Sequence, residues 1–272
     1  MIQASIRTLI AACVLANAPA LAADMRVKAP IAPAAPIWSW TGFYGGVSIG
    51  ARWAENDWTS TDFFPAVGGI TVQPVTGGPV DNVAARVGGY FGYNWQIAPA
   101  WIVGVEGDGG WANNAKTVAP IPGSAGIVGP GCGGGVCTGP TTATVKESWD
   151  GSLRGRIGML VTPSTLVFAT GGAAWQRITL EATCAPSGLP TTFCLINTSG
   201  SASTTLTGWT LGGGLEQRIS GNWLGRVSYR YSDFGTFSHQ FFTVPAPGFD
   251  DRFTGNVKAR THTLDFGLAY KL

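Results

Sequence analysis

Histidine, the side chain best suited to proton transfer near neutral pH, occurs twice in this chain, at His239 and His262. His239 lies among aromatic rings in "FSHQFF". His262 falls in register with Leu264 in the closing stretch "THTLDFGLAYKL". A hydrolytic centre would need a histidine spaced against a nucleophile and an orienting acid. Ser238, Asp250 and Asp251 are near, but their spacing matches no such motif. No catalytic residue is assigned, and the chain reads as a non-enzyme. The alternative use of His239 and its neighbours is to hold a planar ligand such as haem.

Cysteine carries a clearer signal. Cys132 and Cys137 sit in "GPGCGGGVCTG", and Cys184 and Cys194 lie further on, in another stretch without strand pattern. Cysteines in loops of an exported chain point to disulfides, with local pairing the simplest of three connectivities. Zinc sites favour Cys pairs with about two residues between them. Here the gaps are four and nine residues, so no metal is expected. The Gly-rich loop is followed by neither Gly-Lys-Ser/Thr nor a helical pattern, so it is no phosphate cradle, and no cofactor is expected. Asn197-Thr198-Ser199 matches a glycosylation sequon by chance.

Charged residues make up only 12% of the chain, about half the share usual in a soluble domain. They are not scattered. In "WTGFYGGVSIGARW", Phe43, Val47, Ile49 and Trp53 fall on one face of an extended strand, and Tyr44, Ser48 and Arg52 on the other. The same two-faced pattern recurs. Arg86 lies opposite Val87 and Trp95, and Glu106 and Asp108 lie opposite Trp101, Val105 and Trp111. Asp150, Arg154 and Arg156 lie opposite Trp149, Leu153 and Ile157; Glu216 lies opposite Trp209 and Leu215. Arg226 and Arg230 lie opposite Trp223 and Val227, and Asp265 opposite Phe266 and Leu268. One further strand, through "LVFATGGAAW" with Trp175, is apolar or small on both faces.

These elements make eight strands joined by connections that alternate in length. "IAPA", "TPST" and "ISGN" are tight turns; the connections at 54–81, 112–145, 180–204 and 235–256 are long. A soluble sandwich would bury the apolar face, a membrane barrel the charged one, and periodicity alone does not separate them. Aromatic spacing does. Phe43 and Trp53 are ten residues apart on one face, as are Trp101 and Trp111. Ten tilted strand residues cover roughly 26 Å, the height of the ~25 Å apolar band between the aromatic girdles of an outer-membrane barrel. The end of the chain agrees, because a last strand with free edges must pair, and lipid demands closure. The expected fold is therefore all-β: an eight-stranded antiparallel transmembrane up-and-down β-barrel with three short periplasmic turns and four long extracellular loops. Its girdles would be Phe43, Trp95, Trp101 and Trp223 at one rim and Trp53, Trp111, Trp149, Trp175 and Trp209 at the other. The lumen would hold Arg52, Arg86, Glu106, Asp108, Asp150, Arg154, Arg156, Glu216, Arg226, Arg230 and Asp265. Charges of both signs in so narrow a space should pair and plug it, whereas the lumen-side glycines would leave room for water.

Ahead of the barrel, residues 1–22 read as a signal peptide, with Arg7 in the n-region, an apolar core from Thr8 to Leu15, and cleavage at Ala20-Leu21-Ala22. A lipoprotein signal ending at Cys13 is the rival reading, on a shorter apolar run. Residues 23–39 are a Pro- and Ala-rich linker, and the barrel spans 40–272. The mature charge near neutrality leaves no footprint for nucleic acid.

Together, "WTGFYGGVSIG" after a Pro-rich linker, "ATGGAAW", "GWTLGGGLEQRI", "LGRVSYRYSDFG" and "LDFGLAYKL" resemble the small outer-membrane β-barrel proteins of alphaproteobacteria, porin-like and immunogenic at the cell surface. The resemblance covers roughly residues 24–272 and is specific at both ends of the barrel. It implies the outer membrane of a Gram-negative bacterium, with periplasmic termini and lipid, lipopolysaccharide and the barrel-assembly machinery as partners. In that family the chain ends in Phe; here it ends in Leu272. The implied role is structural and surface-exposed, with at most minor diffusion of small solutes. A small-solute porin, or a surface protein binding a ligand such as haem, are the alternatives.

Overall fold

The computed structural model describes residues 38–62, 71–72, 77–124, 127–128, 140–186, 197–243 and 252–272. Eight long strands run through them: β1 (Gly42–Thr61), β2 (Asn82–Gln96), β3 (Trp101–Val118), β4 (Thr141–Thr162), β5 (Thr165–Cys184), β6 (Thr198–Ser220), β7 (Trp223–Phe241) and β8 (Phe253–Lys271). Each pairs antiparallel with its neighbour in sequence. The ring closes where β8 meets β1, from Tyr44 opposite Lys271 to Thr61 opposite Thr254. The amide of Leu272 still donates to the carbonyl of Phe43, 2.9 Å away. The terminal strand thus has no open edge, and its apolar residues, Leu264, Phe266 and Leu268, point outward with those of β1. The stretches expected as signal peptide and, nearly all of it, as linker lie outside the described residues, as do Cys132, Cys137 and Cys194.

Alternation sets the faces of each strand. Val47, Ile49, Val87, Leu153, Leu211 and Phe266 are 53–66% exposed on the outside, while Arg52, Arg86, Glu106 and Glu216 are at most 2% exposed within. Aromatic side chains bound this inverted belt. On the short-turn side Phe43 lies 4.6 Å from Tyr93, and Trp223 lies 5.1 Å from Tyr270. On the other, Trp53 sits opposite His262, Trp111 opposite Trp149, and Trp209 packs 5.5 Å from Tyr231. All nine expected girdle residues, Trp95, Trp101 and Trp175 included, face outward.

The strands do not stop at this second ring, as the sequence pattern suggested. Stretches expected as loop, such as 54–61, 112–118, 141–145, 180–184, 235–241 and 253–256, continue the ladders. Here the faces exchange character. Outward positions become Glu55, Asp57 and Thr59 on β1 and Lys258 and Arg260 on β8, while inward positions become Trp58, Val145, Ile178, Leu180, Phe241, Phe253 and Val257, buried in one apolar core. Trp58 stacks on Phe241 at 6.0 Å, and Phe241 on Phe253 at 5.1 Å. The barrel is lined with charge between the girdles and with hydrocarbon beyond them. The exchange follows from what touches the outer wall: an apolar wall suits lipid, and a polar one suits water. Periodicity was weak in these stretches because small residues such as Ala182, Ala143 and Ala259 fill inward positions.

Candidate functional site: a charged plug in the lumen

Every lumen charge read from the sequence lies in one network. Asp150 on β4 accepts from three arginines on three strands: Arg52 Nη1 at 2.8 Å, Arg86 Nη2 at 2.6 Å and Arg230 Nη2 at 3.0 Å. Asp108 on β3 takes Arg230 at 2.6 Å, Arg86 at 3.1 Å and Arg154 at 3.2 Å, and accepts from the Ser152 hydroxyl. Asp265 closes this tier from β8, 3.1 Å from Arg86. Nearer the short turns, Glu106 takes Arg226 at 2.6 Å, Arg154 at 2.7 Å and the Tyr44 hydroxyl at 2.7 Å, with Arg156 at 3.6 Å. Glu216 on β6 holds Arg156 at 2.9 Å and is also paired with Arg226. The charges are desolvated but compensated, since each carboxylate meets at least one guanidinium in a geometry suited to charge-assisted bonds.

Aromatic rings fill what the ions leave. The Arg226 guanidinium lies 4.1 Å from the centroid of Tyr90, and that of Arg156 lies 4.3 Å from Phe168. Phe168 is the inward contribution of β5, the strand whose two small faces gave least guidance. Space over several lumen glycines is taken by side chains from other strands. A methyl group on Gly92 would strike Tyr44, one on Gly110 would strike Arg86, and one on Gly267 would strike Tyr90. Bulky lumen side chains lie over residues that have none. Between Ser48, Tyr90, Asp108, Arg226, Arg230 and Asp265 remains a void of about 20 Å³, which is room for about one water.

The sequence reading missed Glu147, which alternation from Trp149 would turn outward. A β-bulge between Glu147 and Asp150 resets the strand, so Glu147 points inward and accepts from Asn56 Nδ2 at 3.0 Å. The same bulge turns Lys146 outward, 2.6 Å from Glu181. A bulge adds one residue to one strand and so reverses every face beyond it.

The histidines are apart from the plug. His262 stands in the outer girdle, its Nδ1 2.6 Å from the Tyr229 hydroxyl and its Nε2 3.3 Å from Glu55. His239 lies 4.9 Å from Phe241 beside a cleft of about 210 Å³, smaller than the ~300–1,000 Å³ of typical small-molecule pockets. Cys184 is buried at the end of β5.

Comparison with known proteins agrees with this architecture. The profile of the outer membrane protein beta-barrel domain matches residues 9–271. The chain is 30% identical over 264 residues to the 31 kDa outer-membrane immunogenic protein of Brucella melitensis, covering 93% of each. It is 31% identical over 261 residues to the 25 kDa outer-membrane immunogenic protein of Brucella abortus, covering 94% of this chain and 92% of that one. Among solved structures, the outer membrane protein OprG of Pseudomonas aeruginosa aligns at a TM-score of 0.45 with 12% identity, over 85% of this chain and 97% of that one. With charge within, apolar residues without and aromatic rings at both rims, this chain belongs to the outer-membrane β-barrel protein family that includes these immunogenic proteins.

Proposed function

We propose that this barrel has a structural, surface-exposed role in the outer membrane and passes at most small amounts of small solutes. One observation carries this: Asp108, Asp150, Glu106 and Glu216 tie arginines from several walls across the lumen, and the gap among Tyr90, Asp108, Arg226, Arg230 and Asp265 is about 20 Å³. Opening a path would mean breaking buried ion pairs, at ~3–5 kcal/mol for each partner removed. The outward apolar band takes bilayer lipid and lipopolysaccharide. The closing strand is what the barrel-assembly machinery reads at insertion. Both termini face the periplasm, and the long connections face outside. The test is single-channel conductance of the refolded protein in a planar bilayer. Brief, small or absent events are expected. Steady conductance of a wide-porin size would replace this reading with that of a small-solute porin.

A further inference from the structure

The ion pairs of the plug do not balance. Six arginines, Arg52, Arg86, Arg154, Arg156, Arg226 and Arg230, face five carboxylates, Glu106, Asp108, Asp150, Glu216 and Asp265. One positive charge is left over. Glu147 does not cancel it. Its carboxyl forms no ion pair among the described residues; Arg52 donates instead to its backbone carbonyl, at 3.1 Å. Glu147 lies beyond the Trp149 girdle, and burial pushes its carboxyl above the usual range, toward the neutral form. An excess guanidinium charge out of water is costly unless an anion answers it.

The plug also contains a place for that anion. Arg154, Arg226 and Arg230 all border the void of about 20 Å³, against two acids, Asp108 and Asp265. Three donors on residues that border it have no hydrogen-bond partner: Tyr90 Oη, Arg154 Nε and Arg230 Nε. These residues are only 7–8% exposed, so bulk water does not satisfy the three groups. The Tyr90 hydroxyl reaches over Gly267, 2.6 Å from where a methyl group would stand, and Gly267 is itself part of the wall of the void. The hydroxyl-bearing Ser48 and Ser228 border it too, opposite Gly267 and Asp265 in the ladders.

The acids beside the void are engaged elsewhere. Asp108 takes three guanidinium groups and the Ser152 hydroxyl. Asp265 gives Oδ2 to Arg86, and its Oδ1 lies against the β1 wall at Gly50, which does not border the void.

We propose that this void binds one small monatomic anion of the chloride class, which completes the charge balance of the plug and accepts from the free donors around it. Sign, number and size select this ligand. Three arginines turn a cation away. A water molecule has two acceptor positions for three free donors, whereas a spherical anion accepts from all of them. The space holds about one water, so phosphate, sulfate and organic acids are too large. The site is independent of whether the lumen conducts, and its test reads stability and anion position instead of conductance.

The full chain, refolded into lipid vesicles, is titrated with urea at fixed ionic strength while chloride replaces gluconate. The midpoint should rise with chloride and saturate. At ten times the half-saturating concentration, the unfolding constant should be about tenfold lower than in gluconate alone. Exchanging sodium for choline should change nothing. Ser48→Asp puts a carboxylate into the void; it should lose the chloride dependence and be as stable in gluconate as the native chain is in chloride. Ser48→Asn has the same size without the charge, and should have a lower midpoint than Ser48→Asp. Crystals of the native chain grown with bromide should show an anomalous peak among Tyr90, Arg154 and Arg230, and this measurement decides if neither variant folds. Three results overturn the proposal: a midpoint that ignores chloride or follows the cation, Ser48→Asp no more stable than Ser48→Asn, or density at the void without anomalous signal, which would be water only.

Discussion

Glu106 on β3 and Arg226 on β7 are 120 residues apart in sequence and 2.6 Å apart across the lumen. Arg226 is at the same time paired with Glu216 and lies over the ring of Tyr90. One guanidinium thus joins opposite walls of the barrel. Cross-lumen bonds of this kind, and not the neighbouring-strand pairs alone, tie the walls of the barrel to one another.

Removing the acids should open it. In Glu106→Ala combined with Asp108→Ala, Arg154, Arg226 and Arg230 lose short ion pairs. Stranded charges draw in water, and the barrel is expected to give resolvable single-channel steps where the native protein gives few. Asp150→Ala should act likewise, since it takes an ion pair from three arginines at once and leaves Arg52 with no acid among those of the network. Unchanged conductance in both would mean the plug lies elsewhere.

The exchange of faces predicts opposite responses to one substitution on the same side of β1. Val47→Arg puts a charge into the apolar belt and should cost ~2–4 kcal/mol in folding titrations from lipid vesicles. Thr59→Arg lies on the same outward face beyond the girdle, beside Asp57 in the polar region, and should be within ~0.5 kcal/mol of native. Trp58→Ala, inward at that height, should cost ~3–5 kcal/mol. Equal penalties for Val47→Arg and Thr59→Arg would contradict the boundary at Trp53.

Lumen glycines should be intolerant of even a methyl group. Gly92→Ala meets the Tyr44 ring, whose hydroxyl donates to Glu106. Overpacking of this kind costs ~1–3 kcal/mol. Gly221→Ala, in a turn with open space around it, meets only the backbone cost of its positive φ. Urea midpoints of the two variants check the contrast.

The cysteines give a chemical test. Mass mapping of the exported protein should show Cys184 joined to Cys194 and Cys132 to Cys137, with no free thiol. Reduction should leave the heat-dependent gel shift intact, because the backbone ladders close the ring. Bound zinc or a Cys184–Cys132 crosslink would refute this pairing.

Topology is open to a direct assay. An epitope inserted at Gly126, in the connection between β3 and β4, is expected to be reached by antibody on intact cells. Labelling only after the outer membrane is opened would reverse the orientation.

Much of this protein was determined by the sequence alone. Alternation at period two, unbroken over β2 and through Trp223–Tyr231, assigned each charge to the lumen and each tryptophan to the wall, because strand geometry leaves a side chain only two directions. The spacing of Phe43 and Trp53 set the height of the belt, and the apolar last strand required closure. Tertiary structure decided what alternation cannot encode. A bulge reverses every face beyond it, which is why Glu147 was missed. Lumen glycines look like free space until Tyr44, Tyr90 and Arg86 are seen lying over them from other strands. The apolar core around Trp58 depends on how far the ladders run beyond the girdle, and that is settled by contacts between residues distant in the chain.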